Sequence, residues 1–171
     1  MNKAIFLDRD GTINIDYGYV HKIDKFDFID GAIEGLKILS DLGYLLIIIT
    51  NQSGIGRNIF SENDFLTLNN HMLKKLVENG INIDKVYYCP HIDSDNCNCR
   101  KPKLELFYKA KKDFDIDFNA SFAIGDNTRD LEISNISNVK GILLTEEINN
   151  NYICKKNLKE ASLYIKEQRE V

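Results

Sequence analysis

Ala4-Ile5-Phe6-Leu7-Asp8-Arg9-Asp10-Gly11-Thr12 decides how the chain folds. An apolar run without polar alternation reads as a strand buried on both faces, and it ends abruptly in two carboxylates separated by one residue. In extended chain a spacing of two points both side chains the same way, so Asp8 and Asp10 are expected to share one site. Two carboxylates that close repel each other unless a cation lies between them or one keeps a proton, and either solution is chemically useful.

The same pattern recurs. Apolar runs at Ala4–Leu7, Tyr44–Ile49, Val86–Tyr88, Ser121–Ile124 and Gly141–Leu144 predict buried strands, and helical periodicity fills the gaps. Ala32–Leu42 places Ile33, Leu36 and Leu39 on one stripe. Glu62–Glu78 opens with Ser61 as N-cap and Asp64 three residues later, and closes at Gly80. Leu104–Phe114 and Leu158–Lys166 are further helices. This alternation predicts an α/β fold with a mainly parallel central sheet, in which ligands bind beyond the carboxyl ends of the strands.

With 171 residues, 43% of them hydrophobic, no repeat and no Pro/Ser-rich linker, a single domain over residues 1–171 is expected. A net charge of −4 and a pI near 5.4 argue against a partner that is nucleic acid or an anionic membrane. The N-terminus lacks the apolar stretch of a signal peptide or a spanning helix, so a cytoplasmic protein is expected, acting as a monomer on a small molecule.

Each unusual polar cluster follows one of the apolar runs. Gly125-Asp126-Asn127-Thr128-Arg129-Asp130 supplies a third carboxylate, and the hard oxygens of Asp8, Asp10 and Asp126 suit magnesium. A polar turn explains one such Asp, but not this set. Asp130 is expected to orient the metal's surroundings or to cap its helix. Thr50-Asn51-Gln52-Ser53-Gly54-Ile55-Gly56-Arg57 offers a hydroxyl, an amide and backbone N–H groups to phosphate oxygens, while matching neither a Walker loop nor a dinucleotide fingerprint. Arg100-Lys101-Pro102-Lys103 puts cations before a helix, and Arg100 and Lys101 are expected to face the phosphate.

Cys89, His91, Cys97 and Cys99 supply three thiolates and an imidazole on a short, hairpin-like loop, enough to close a tetrahedral zinc shell. Asp93, Asp95, Asn96 and Asn98 make the segment too polar for core. Four protein ligands leave no open position, so the zinc is read as structural, presenting Arg100 and Lys101 in a set orientation. Cys154 and His71 lack companions at ligand spacing and are read as a packing and a surface residue.

Asp8-x-Asp10-Gly-Thr, Thr50-Asn51, Lys101 and Asp126, in this order, resemble the successive motifs of the haloacid dehalogenase superfamily of phosphatases. Within it, Asp8–Asn14, Asp16-Tyr17-Gly18-Tyr19-Val20-His21, Thr50–Gly54 and the Cys89-Pro-His91…Cys97-x-Cys99-Arg-Lys-Pro loop resemble the D-glycero-D-manno-heptose 1,7-bisphosphate 7-phosphatases and their relatives, the histidinol-phosphate phosphatases. The resemblance implies a Rossmann-like three-layer sandwich without a large cap, the zinc loop of residues 89–99 in its place. It also implies a magnesium-dependent phosphatase of lipopolysaccharide-precursor metabolism, with Asp8 as nucleophile and Asp10 as general acid and base. Thr50 and Lys101 would neutralise the phosphoryl oxygens. Substrate contacts would come from Asp16, Tyr17, Gly18, Tyr19, Asn51, Gln52, Ser53, Arg100 and Asn127. Asn127 stands where the heptose enzymes carry Lys, and Lys103-Leu104-Glu105 replaces their Pro-Gly. Histidinol phosphate is the alternative substrate, and a non-catalytic phosphate-binding module is the alternative of another class.

Overall fold

The structure, a computed structural model, describes residues 1–169. Six strands form one sheet: β1 (Ala4–Leu7), β2 (Leu45–Asn51), β3 (Lys85–Cys89), β4 (Phe122–Gly125), β5 (Lys140–Leu144) and β6 (Ile153–Lys155). The helices are α1 (Ala32–Asp41), α2 (Ser53–Gly56), α3 (Glu62–Glu78), α4 (Glu105–Phe114), α5 (Glu132–Ile136) and α6 (Leu158–Glu167). Every pairing named in the sheet is parallel, so it is wholly rather than mainly parallel. The five expected runs all became strands; β6 adds a short, half-buried edge that lacks an apolar run.

Strand alternation builds the three layers. Ile5, Leu7, Leu46, Ile48, Ile124 and Ile142 face one side and pack with Leu36 of α1, Leu68 and Met72 of α3 and Ile165 of α6. Their neighbours Ala4, Phe6, Ile47, Ile49, Ala123 and Leu143 face the other side and meet Phe107 of α4 and Ile133 of α5. Because both faces are covered, the strands read as continuous apolar runs. Helix α3 shows how local sequence sets an element. Asp64 N–H donates to Ser61 Oγ at 3.0 Å, Ser61 N–H donates to the Asp64 carboxylate at 2.8 Å, and Phe65, Leu68, Met72 and Leu76 form its buried stripe. Losing such a cap costs about 1 kcal/mol.

The strand order β3-β2-β1-β4-β5-β6 positions the site. The chain winds outward from β1 through β2 and β3, then returns to place β4 on the other flank of β1. The crossovers diverge there, and a crevice opens beyond the carboxyl ends of β1 and β4. Asp8 and Asp126 lie in it. The segment after β3 is not hairpin-like: it is a loop with one 3-10 turn, Asp93–Asp95. No helix among the described residues is long and apolar enough to cross a membrane.

Candidate active site and metal centre

The chain does not stay extended after β1. The N–H groups of Thr12, Ile13 and Asn14 all turn back onto the Arg9 carbonyl at 3.2, 2.8 and 3.2 Å. Asp8 and Asp10 both line one cavity, as their spacing leads one to expect, but their carboxylates find different partners. Asp8 joins Asp126 and Asp130, one oxygen of each lying within 4.8 Å of the others. Asp10 is not in that cluster. Its carboxylate accepts from Arg9 at 2.8 Å, Asn14 at 3.0 Å and Gln52 at 3.0 Å. The side-chain carboxylates that converge closely enough to share a hard cation are therefore those of Asp8, Asp126 and Asp130, with Asp10 lining the same cavity beside them. Gly11 makes room for it: at φ 83° it adopts a conformation that L side chains resist, and a Cβ there would come within 2.2 Å of Asp126 Oδ2.

Lys101 links the cluster to the rest of the crevice. Its ammonium lies 2.8 Å from Asp8 Oδ1 and 2.8 Å from Asp130 Oδ1, and donates to the Ile49 carbonyl at 2.5 Å. Burial pulls the lysine pKa down, but the carboxylates of Asp8 and Asp130 outweigh it and raise the pKa above its ordinary value. Asn51 holds the Lys101 backbone from both sides, donating to its carbonyl at 3.1 Å and accepting from its N–H at 3.0 Å. That amide, expected to contact substrate, is thus engaged in placing Lys101. The Lys101–Pro102 peptide is cis.

Burial pushes the Asp8 carboxyl up to about 7; Lys101 opposes this, and Asp130 and Asp10 add to it. Burial also raises Asp126 to about 6, again with Asp130 adding. Three acidic groups sharing one lysine leave negative charge uncompensated, the electrostatic demand that a divalent cation meets.

A cavity of about 360 Å³ opens above these groups. Asp8, Asp10, Asp126 and Asp130 line it with Lys101, as do Asn51, Gln52 and Ser53 after β2 and Asp16, Gly18 and Tyr19 at its mouth. Arg57, Arg100 and Arg129 also line it. Three expected contacts are not brought there. Thr50 is buried, its hydroxyl accepting from Gln52 at 2.9 Å; Tyr17 donates to Asp27 at 3.0 Å; and Asn127 accepts from Arg129 N–H at 3.1 Å as the cap of a 3-10 turn. Asp130 both accepts from Asn127 N–H at 3.2 Å and pairs with Lys101, so it caps its turn and serves the site at once.

Cys89, His91, Cys97 and Cys99 also converge within 4.8 Å. Cys89 Sγ lies 3.5 Å from His91 Nδ1, 3.6 Å from Cys97 Sγ and 2.8 Å from Cys99 Sγ, and His91 Nδ1 lies 3.2 Å from Cys99 Sγ. Zinc bonds of about 2.3 Å to sulfur and about 2.0 Å to nitrogen put tetrahedral ligands roughly 3.5–3.8 Å apart, so the cluster suits that ion with a small outward shift of Cys99. Burial works against a Cys97 thiolate, but the backbone N–H of Arg100 and the neighbouring thiols bring it down to about 7, while burial raises Cys89. The loop is tied at both ends: Gly56 N–H donates to the Pro90 carbonyl at 2.9 Å, and Lys103 Nζ to the Cys97 carbonyl.

A family model described as polynucleotide kinase 3 phosphatase matches residues 3–159. The chain is 48% identical over 152 residues to the D-glycero-beta-D-manno-heptose-1,7-bisphosphate 7-phosphatase of Pasteurella multocida, covering 85% of this chain and 83% of that one. It is 44% identical over 169 residues to the D-glycero-alpha-D-manno-heptose-1,7-bisphosphate 7-phosphatase of Campylobacter jejuni, covering 97% of both. The chain belongs to this family of haloacid dehalogenase phosphatases. In fold it matches the D,D-heptose 1,7-bisphosphate phosphatase from B. bronchiseptica, solved with magnesium and phosphate, at a TM-score of 0.89 with 24% identity, over 97% of this chain and 99% of that one.

Within this phosphatase frame, reading the sequence missed Arg57, Arg129, Asn14 and Arg9. Arg57 and Arg129 belong to motifs already singled out for their donors and carboxylates, and only the fold turns them toward one cavity. Arg9 lies between the two aspartates, where its guanidinium holds Asp10.

Proposed function

We propose that this phosphatase removes the 7-phosphate of D-glycero-D-manno-heptose 1,7-bisphosphate through a phosphorylated Asp8. The observation that carries the reading is one cavity lined both by Lys101, beside Asp8, for the reacting phosphate, and by Arg57, Arg129 and Arg100, the last also paired with Asp93, for a second anion. Histidinol phosphate carries an amine at its far end, and three guanidiniums disfavour it there. The heptose bisphosphatases among the relatives act on a substrate with a phosphate at each end.

An Asp8 carboxylate oxygen attacks phosphorus in line as the bond from phosphorus to the sugar oxygen breaks. Asp10, in the lining of the same cavity, gives its proton to that leaving oxygen, then takes one from the water that attacks the aspartyl-phosphate. Breaking the phosphorus bond to Asp8 frees inorganic phosphate and restores the carboxylate. Lys101 neutralises charge on the phosphoryl oxygens, and Asp130 holds Lys101 in place. Asp8 and Asp126, supported by Asp130, would hold a magnesium ion, which supplies charge neutralisation and orients the phosphate when bound. Cys89, His91, Cys97 and Cys99 would hold a structural zinc that fixes Arg100 and Lys101. We place the enzyme in the cytoplasm as a monomer, whose thiol-rich loop calls for a reducing medium.

The test is turnover of α- and β-heptose 1,7-bisphosphate against histidinol phosphate, with and without magnesium. The reading expects kcat/KM at least about a hundredfold higher for one of the bisphosphates, given the charge difference at the three arginines. Preference for histidinol phosphate would overturn it.

A further inference from the structure

Arg9 does not line the cavity and its side chain is only 1% exposed, yet it ends against the site's second carboxylate. Burying a guanidinium is costly unless its donors find partners; Nη1 has none among the described residues, so the compensation falls on Nη2 and Nε. Here Nη2 donates to Asp10 Oδ1 at 2.8 Å and Oδ2 at 3.0 Å, with Nε adding a longer bond of 3.3 Å to Oδ1. The same Nη2 donates to the Val20 carbonyl at 2.9 Å, at the end of the mouth segment. Phe65 of α3 backs the guanidinium, its ring centre 5.7 Å away. The other partners of the Asp10 carboxylate are the neutral amides of Asn14 and Gln52.

We infer that Arg9 is a positioning residue that sets the direction in which Asp10 presents its carboxyl to the leaving oxygen. The inference rests on Asp10 being the general acid and base. The peptide link makes the two residues neighbours, but Nη2 on both carboxylate oxygens, with Nε on Oδ1, fixes a rotamer that neighbourhood alone does not. Without it, two neutral amides must hold a carboxylate that Lys101 and any cation among Asp8, Asp126 and Asp130 attract. The turn closed onto the Arg9 carbonyl supplies the complementary restraint, because it orients the Asp10 backbone.

Leaving-group dependence separates this role from a purely structural one. A sugar alkoxide needs a proton as its bond to phosphorus breaks, whereas 4-nitrophenolate departs without one. The phosphorylation rate should be measured in single turnovers of heptose 1,7-bisphosphate, phenyl phosphate and 4-nitrophenyl phosphate for wild type, Arg9→Lys, Arg9→Met and Asp10→Asn. Ratios between substrates on one sample cancel the folded fraction, so a poorly folded variant still reports. The expected result is that Arg9→Met loses roughly tenfold or more on the bisphosphate relative to 4-nitrophenyl phosphate, with phenyl phosphate between them. Arg9→Lys should recover part of the loss, and Asp10→Asn should show the largest split. Equal losses on all three substrates in the Arg9 variants, with the split kept in Asp10→Asn, would overturn the inference alone. No split in Asp10→Asn would overturn the acid assignment and the inference with it.

Discussion

Lys101 stands 93 residues from Asp8 in sequence, and its ammonium lies 2.8 Å from Asp8 Oδ1 with side chains only 2% and 10% exposed. The same ammonium bridges to Asp130, so one buried cation holds the carboxylate after β1 to that beyond β4. Lys101→Met removes the positive member and leaves two buried carboxylates facing each other. Breaking such an arrangement from one side costs about 3–5 kcal/mol. We expect a clear fall in thermal stability together with loss of turnover, read by calorimetry and phosphate release.

Magnesium and protons compete for the acidic cluster. Asp8 at about 7 and Asp126 at about 6 lie above the ordinary value of 3.8, so the metal-free folded chain binds protons more tightly than the unfolded chain. Stability from these groups is present at low pH and is lost as pH rises from about 4 to about 7. A cation reverses the trend by taking the place of the protons. The rise in melting temperature on adding magnesium should be larger near about pH 8 than near about pH 5.5. An equal increment at both values would remove the cluster from the account.

Gly11 is predicted to be intolerant of any side chain. Gly11→Ala combines a left-handed backbone with a Cβ 2.2 Å from Asp126 Oδ2, so Asp126 must move. Apparent magnesium affinity should fall by about tenfold or more, and the strain itself costs about 1–3 kcal/mol. Activity titrated with magnesium tests this.

Removing one thiolate should release the loop metal. Cys97→Ser is expected to lower bound zinc to well below one per chain by elemental analysis, to reduce the melting temperature, and to weaken turnover as Arg100 and Lys101 lose their anchor. Zinc-free wild type with full activity would contradict this.

The strands were legible because both sheet faces are covered, which turns Tyr44–Ile49 and its counterparts into unbroken apolar runs; β6, with Ile153 half-buried at an edge, offered no such run. The convergence of Cys89, His91, Cys97 and Cys99 was legible because three thiols and an imidazole in a polar stretch have few other uses. Asp8, Asp10 and Asp126 line one cavity, but the chain turns at Arg9, and the side-chain carboxylates that converge are those of Asp8, Asp126 and Asp130, a cluster that an extended spacing does not show. Arg57 and Arg129 come to one cavity from loops after different strands, a meeting that local pattern does not encode. Local sequence offers Asn51 and Thr50 as donors but does not encode that Asn51 braces the Lys101 backbone or that Thr50 accepts from Gln52, which leaves the Thr50 hydroxyl hydrogen available.

Acid quenching during turnover, borohydride reduction and peptide mass spectrometry would test the nucleophile directly. The account predicts a phosphoryl group on Asp8, reduced there and nowhere else, and absent from Asp8→Asn, which should also release no phosphate. Steady phosphate release from Asp8→Asn at a rate near wild type, with no modified residue 8 in the native chain, would contradict it.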